Sequence, residues 1–509
     1  MGLYDFTFYD LINRNAVCYG KSDAWFEVDT ERMFSFSEIK KLTDCLACGL
    51  RQAGVEKGDR VGVLGKNSLE FFLVYCAAAA IGAIVLPVNW RLSEDEVCYI
   101  LNDGSPIVLF SDTEFEPLLE KLDEKLSSVK NCYNLKLGGD GNLTGFGTLL
   151  DNDGKFSPGP VRSDDGFVII HTAAVEGKPR GALLSHANLL YSNLQWNWLC
   201  RIDHEDVHLS MLPLFHVAGL FMAAAAFHVG ALNVNMSKFD AGKAVSLIQE
   251  KKVSLLFDFS PILVSILEKR AETGMDISSL QAVIGLDSPE TIEAYQQLNG
   301  GTFYCMYGQT ETSSIATFGR YNDRPGAAGK VAPMAEVALY DGDDRSVPQG
   351  EVGEIVIKGP MVFKGYWNLE KDNAAVFRSG WHHTGDLGRF DEDGYLFYAG
   401  RKPEKELIKP GGENVYPAEV EKVILEHFAI EKTVVFGVPD SKWKEGIKAV
   451  CVIRPGKSVE PGDLIDFVGE RIARYKKPKY VQFIESLPEL DDGRPDREKV
   501  KELYGGDQQ

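Results

Sequence analysis

Residues 60–111 read RVGVLGKNSLEFFLVYCAAAAIGAIVLPVNWRLSEDEVCYILNDGSPIVLFS, and two patterns alternate along them. RVGVLG is a short apolar run with β-branched residues, as a buried strand requires. Residues 69–82 then carry apolar side chains on every face, as in a buried helix, and AIVLPV is a second strand. Ser93 stands where it caps a further helix, EDEVCYILNDG, and PIVLFS is a third strand. Strands that alternate with helices predict parallel βαβ units. Residues 71–90 approach the length of a membrane span. Glu70 at one end, Pro87 near the other and an Ala/Gly-rich middle favour a buried helix that runs into a buried strand.

Upstream, Ser37 is placed to cap a helix that runs to about Leu50 and stops at Gly54. Downstream, residues 138–165 are rich in Gly, Asp and Pro and read as surface loop. Alternation resumes with GFVIIHT and continues past 300. From about 335, EVALYD, GEIVIKG and GYLFYAG are short strands between Gly/Asp turns, as in an antiparallel region. A basic connector, RKPEKELIKPGGENVYP, follows Gly400. After it come a helix over 417–428, strands TVVFGV and KAVCVIR, and a helix over 462–473. The expected architecture is α/β: a large body, 1–400, of βαβ-type mixed sheets with a β-rich subdomain, and a small α+β lid, 401–509, on a hinge.

The chain has 509 residues, 54 of them Lys or Arg and 74 Asp or Glu, for a net charge of −20. That balance disfavours duplex nucleic acid or an anionic membrane held by bulk charge. Nine scattered cysteines and no signal-type N-terminus point to a reducing, cytoplasmic setting. Cys45 and Cys48 form a CxxC within an amphipathic helix pattern and read as ordinary helix cysteines.

Four segments carry chemistry. HTAAVEGKPRGALLSHANLL, 171–190, is a strand–loop–helix whose Gly177, Gly181 and basic residues suit phosphate, although it is no Walker loop. In TFYCMYGQTETSS, 302–314, an aromatic beside Gly offers a flat base a stacking face. Thr310 and Glu311 add a hydroxyl and a carboxylate suited to phosphate and Mg²⁺. In WHHTGDLGRFDEDGYLFYAGR, 381–401, a carboxylate such as Asp386 accepts from both hydroxyls of a ribose, and Arg401 donates to ribose or phosphate. KPGGENVYPAEVE, 409–421, has paired glycines that permit close approach to a ligand. Each has a plain structural alternative: a surface turn for the first, a solvated helix-start Glu for Glu311, a turn-capping Asp for Asp386.

In this order, the segments resemble the AMP-forming acyl-CoA synthetases of the adenylate-forming superfamily over nearly the whole chain. YGQTE, HTGDLG, DEDGYLFYAGR, PGGENVYPAEVE and GVPD (437–440) carry the likeness. The resemblance implies that Tyr307, with Gly308, stacks on adenine, that Gly285 walls that pocket, and that Thr172 and Thr310 face the nucleotide phosphates. It further implies that Glu311 holds Mg²⁺, that Asp386 and Arg401 hold the ribose, and that His216 stands beside the carboxylate and acyl pocket. Gly411, Gly412 and Glu413 would face the site when the lid rotates for thioester formation, Lys405 would be the hinge, and Arg494 would stand where the family has its adenylation lysine. The implied substrates are a carboxylic acid, ATP and coenzyme A, with no nucleic acid and no membrane insertion; a homodimer is left open.

Two segments depart from the family pattern. The phosphate loop, usually Thr-Ser-Gly-Thr-Thr-Gly-x-Pro-Lys-Gly, here runs Thr172-Ala173-Ala174-Val175-Glu176-Gly177-Lys178-Pro179-Arg180-Gly181. Three hydroxyls and one glycine are lost and a carboxylate is gained. Near the C-terminus, Arg494 replaces Lys, followed by Pro495 and Asp496. The expected reaction is ATP-dependent acid–CoA ligation through an acyl-adenylate. Transfer to another thiol, operation mainly in reverse, and a degenerate acyl-CoA or nucleotide binder are the alternatives. The apolar run Val217, Ala218, Leu220, Phe221 after His216 favours an alicyclic, aromatic or medium-chain acid.

Overall fold

The computed structural model describes residues 3, 5–139, 141–172, 179–402, 406–410, 413, 415–440, 443–490 and 495–506. The chain divides into two compact units. The first comprises 1–90, 100–171 and 181–400; the second comprises 91–99, 172–180 and 401–509.

The first unit is mixed α/β, as the alternation predicts. One sheet of seven strands contains the three from 60–111: Arg60–Leu64, Ile84–Val88 and Val108–Ser111, all parallel. A nine-stranded sheet includes Asp23–Glu27, Leu232–Asn235, Leu255–Phe259, Ala282–Leu286 and Thr302–Tyr307. Strands Glu336–Tyr340, Gly353–Lys358 and Trp381–Phe390 form the core of an antiparallel third sheet. Two helices, Leu69–Ile81 and Val217–Val229, are apolar on every face. They share one core cluster with side chains of both large sheets, so neither has a face to give to water.

That burial answers the question of residues 71–90. The helix ends at Ile81 with Gly82 in the left-handed conformation, at φ 77°, and the chain turns into the strand Ile84–Val88. Among the described residues no helix is long and apolar enough to cross a membrane. The helix expected from Ser37 begins earlier, at Phe36. Ser35 caps it and Glu38 reaches back to the Ser35 N–H, a complete capping box. Ser93 caps its helix as expected, with Glu96 as the return partner. The 138–165 loop includes one short helix, Gly147–Leu150.

The second unit has its own core, built on the helix Pro417–Leu425, the strands Ile430–Asp440 and Lys444–Ile453, the helix Pro461–Gly469 and the strand Tyr480–Ile484. The first two strands pair antiparallel and the third joins in parallel. All nine cysteines are free thiols, and the described residues hold no metal-type cluster, including around Cys45 and Cys48.

Candidate active site

Strands Leu255–Phe259, Ala282–Leu286 and Thr302–Tyr307 run side by side in parallel, with Asp258, Gly285 and Cys305 in register. Ligands of such sheets collect beyond the carboxyl ends of the strands. Gly285 stands there at φ 150°, and a Cβ on it would lie 1.8 Å from the Asp258 carbonyl oxygen. No side chain fits that approach, so the position demands glycine.

Tyr307 ends the third strand, almost fully buried, and its hydroxyl donates to Asp386 Oδ2 at 2.7 Å. The Gln309 amide donates to the same oxygen and, at 3.2 Å, to the Thr384 carbonyl. Asp386 is only 1% exposed, so its carboxylate is a preset acceptor and not a solvated turn residue. The turn's local capping is done by Thr384 instead, whose Oγ1 accepts from the Asp386 N–H at 3.1 Å and donates to the Ile355 carbonyl at 2.6 Å. The ladder between Gly353–Lys358 and Trp381–Phe390 slips register between Glu354 and Val356. Such irregularities re-aim side chains. Glu354 fills the gap, accepting from the Gly385 N–H and bonding His383 Nδ1, each at 2.9 Å.

Beyond Tyr307 the chain makes a tight turn. A Cβ on Gly308 would lie 2.1 Å from the Ser314 carbonyl oxygen. Thr310 and Glu311 begin a 3₁₀ turn, Thr310–Thr312, and both are 8% exposed. Glu311 is therefore not a solvated helix-start residue: Tyr366 donates its hydroxyl to Oε1 at 2.7 Å, and the Phe363 N–H donates to the Glu311 carbonyl at 2.9 Å. His216 caps the apolar helix Val217–Val229, its Nδ1 accepting from the Ala218 N–H at 3.3 Å.

Tyr307, Gly308, Thr310, Glu311, Gly285, Asp386 and His216 thus fall in the first unit, and Tyr307 and Asp386 are bonded directly. Thr172, Arg401 and Glu413 fall in the second. There Thr172 Oγ1 donates to the Arg180 carbonyl at 3.4 Å, Arg401 donates to the Tyr416 hydroxyl at 3.4 Å, and Glu413 pairs with Arg91. Lys405, Gly411, Gly412, Arg494 and the loop stretch Ala173–Lys178 lie outside the described residues. Sequence reading missed Gln309, Tyr366 and Glu354. Gln309 lies inside YGQTE, where its amide was the available signal; Tyr366 and Glu354 are brought in by distant segments and had none.

A family profile described as AMP-binding enzyme matches residues 13–367, and one described as AMP-binding enzyme C-terminal domain matches 419–494. Indoleacetate–CoA ligase of Aromatoleum aromaticum is 33% identical, with 93% of this chain and 94% of the relative covered. The chain belongs to the AMP-binding enzyme family, as an AMP-forming acyl-CoA synthetase. The synthetase is also 32% identical to a feruloyl-CoA synthase of Amycolatopsis, over 92% of this chain and 94% of that one. Among solved structures, it superposes on a double mutant of o-succinylbenzoate CoA synthetase from Bacillus subtilis with a TM-score of 0.84. That pair is 27% identical, covering 98% of this chain and 99% of the other.

Proposed function

We propose that the synthetase activates a compact apolar acid, aromatic or alicyclic, at the Tyr307–Asp386 site and passes the acyl group to coenzyme A. The observation that carries the reading is the buried Tyr307–Gln309–Asp386 network, with Thr310 and Glu311 on the next turn. It presets an acceptor for ribose hydroxyls at the carboxyl end of a parallel sheet, beside an aromatic face for a base. The acid's class is supported by the apolar cluster that Ala218 and Met222 form with Phe257, Ile284 and Met306. Relatives named for indoleacetate and ferulate point the same way.

In this reading a carboxylate oxygen attacks the α-phosphorus of ATP and pyrophosphate leaves. The sulfur of CoA then attacks the acyl carbonyl and AMP leaves. Asp386 and Arg401 orient the ribose, Tyr307, Gly308 and Gly285 enclose the base, and Thr172 and Thr310 donate to phosphoryl oxygens, so catalysis is chiefly positioning and electrostatics. His216 lines the carboxylate's approach. Mg²⁺ is commonly held by one or two carboxylates plus substrate phosphates, a pattern that the single buried Glu311 suits. When bound with ATP it would neutralise phosphate charge. The segment from Arg401 on serves as the mobile lid, pivoting near Lys405. Arg494 serves the first step, and Gly411, Gly412 and Glu413 serve the second.

A second reading, transfer to a carrier-protein thiol, is favoured by one relative: a fatty acid–[acyl-carrier-protein] ligase of Streptomyces coeruleorubidus, 32% identical over 494 residues. Pyrophosphate release from a panel of carboxylic acids, with and without CoA, tests both. Acid-dependent release with CoA consumption supports the main reading. Release with no use of CoA favours the carrier thiol, and no release with any acid sinks both.

A further inference from the structure

Trp196 belongs to two neighbourhoods at once. Its ring is fully buried in the cluster that contains Ala218, Met222 and Ile284. It packs edge-on against Phe257 and Phe318, with ring centroids 5.7 and 5.8 Å apart. Its indole N–H leaves that cluster and donates to Ser314 Oγ at 3.0 Å. One turn earlier on the same helix, His186–Cys200, Ser192 donates to the Ser313 carbonyl at 2.7 Å.

Ser313 and Ser314 follow directly on the turn that carries Thr310 and Glu311. Both are left-handed, at φ 53° and 78°, with no glycine to ease the conformation. Two successive residues in that region persist only where their surroundings over-determine them. The holding contacts come from two sides. Trp196 and Ser192 grip one side. On the other, Ser313 Oγ donates to the Met361 carbonyl at 2.6 Å and the Phe363 N–H donates to the Glu311 carbonyl at 2.9 Å.

We propose that Trp196 is a positioning residue for the triphosphate end of the nucleotide: its N–H holds the 310–314 turn in the strained form that presents Thr310 and Glu311. An indole serves here because the same side chain must also fill the apolar cluster against which the acid packs. The inference rests on the reading of that turn as the phosphate- and metal-facing one.

The test uses the full chain. Trp196→Phe keeps a ring and removes the N–H; Ser314→Ala removes the acceptor. Each should weaken binding of the Mg²⁺-loaded β,γ-imido analogue of ATP about tenfold and leave AMP affinity within about twofold. Ser314→Ala also removes the 3.5 Å contact with Ser192 Oγ, so the double variant should be no worse than Ser314→Ala alone, which already lacks the Trp196 contact. Wild-type affinity for the analogue in Trp196→Phe, equal losses for AMP and analogue, or additive losses in the double variant would overturn the proposal. If Trp196→Phe does not fold, Ser314→Ala decides alone. Glu311→Gln separates the underlying reading. If it leaves analogue binding unchanged, the assignment of Glu311 fails, whatever Trp196 does.

Discussion

Asp386 accepts two side-chain donors on one oxygen while almost wholly buried, so under the proposed function the ribose meets a carboxylate already fixed in place. Asp386→Ala should weaken ATP and AMP together, because the ribose is common to both. Charge-assisted hydrogen bonds are worth roughly 1.5–3 kcal/mol each, so at least a tenfold rise in both Kd values is expected by calorimetry. Unchanged AMP affinity in a folded variant would refute the ribose assignment. Gly285→Ala is a different kind of perturbation. Its Cβ would meet a main-chain oxygen in the neighbouring strand, which cannot swing aside as a flexible side chain would. A loss of Tm together with a loss of AMP binding is expected; a stable, binding-competent variant would show that the two strands can part.

At the scale of elements, the altered phosphate loop and the lid segment make separable predictions. The loop has lost hydroxyl donors and gained Glu176. A like charge near phosphate in a partly desolvated site costs on the order of 1–4 kcal/mol. Glu176→Thr should therefore lower the KM for ATP about tenfold with little change in AMP affinity. A sharp fall in ATP use would instead make Glu176 a metal ligand. A chain cut after about residue 405 should still bind AMP through Tyr307 and Asp386 yet form no thioester; full CoA ligation by that fragment would remove the lid from the mechanism. The elements of 60–111 were legible in sequence because their signals are local: an apolar period, a cap, a glycine stop. The pairing of Asp23–Glu27 with Leu232–Asn235 was not, because strand partnership across two hundred residues leaves no periodic trace. The site divides the same way. Tyr307, Thr310, Glu311 and Asp386 lie in dense motifs of chemically suitable residues. Tyr366, which bonds Glu311, reaches it only through tertiary folding, and Ser35 took the cap from Ser37 because Glu38 completes its box.

For the molecule as a whole, burial sets an opposed pair of pH responses. It pushes His186, His208 and His228 down from 6.5 to about 4 each. As pH falls below 6.5 the unfolded chain takes up protons there that the folded chain refuses, so these groups cost stability on the acid side. Burial also pushes Glu27 up from 4.5 to about 7, even though Trp25, the Leu69 N–H and Asn235 all donate to it. The folded chain keeps that proton where the unfolded chain has lost it, so the contribution of Glu27 fades as pH rises through about 7. Three histidines outweigh one carboxylate up to about pH 7, and above about pH 7.5 the two effects nearly cancel. Tm should rise on leaving acid and level off above about pH 7, and Glu27→Gln should steepen the rise between about pH 5 and about pH 7. An identical slope over that range in scanning calorimetry would show that Glu27 ionises without penalty.

The strand order of the nine-stranded sheet also sets a schedule for synthesis. Trp25, Phe26 and Glu27 take their parallel partners from Asn233, Val234 and Asn235. At about 5–20 residues per second, the ribosome needs roughly 10–40 s to supply those partners. Throughout that interval the nascent N-terminal segment carries a strand edge and two aromatic rings with no native neighbour on that side. Release of chains that end before residue 235 should therefore yield aggregates, while chains that extend well past it should stay in solution.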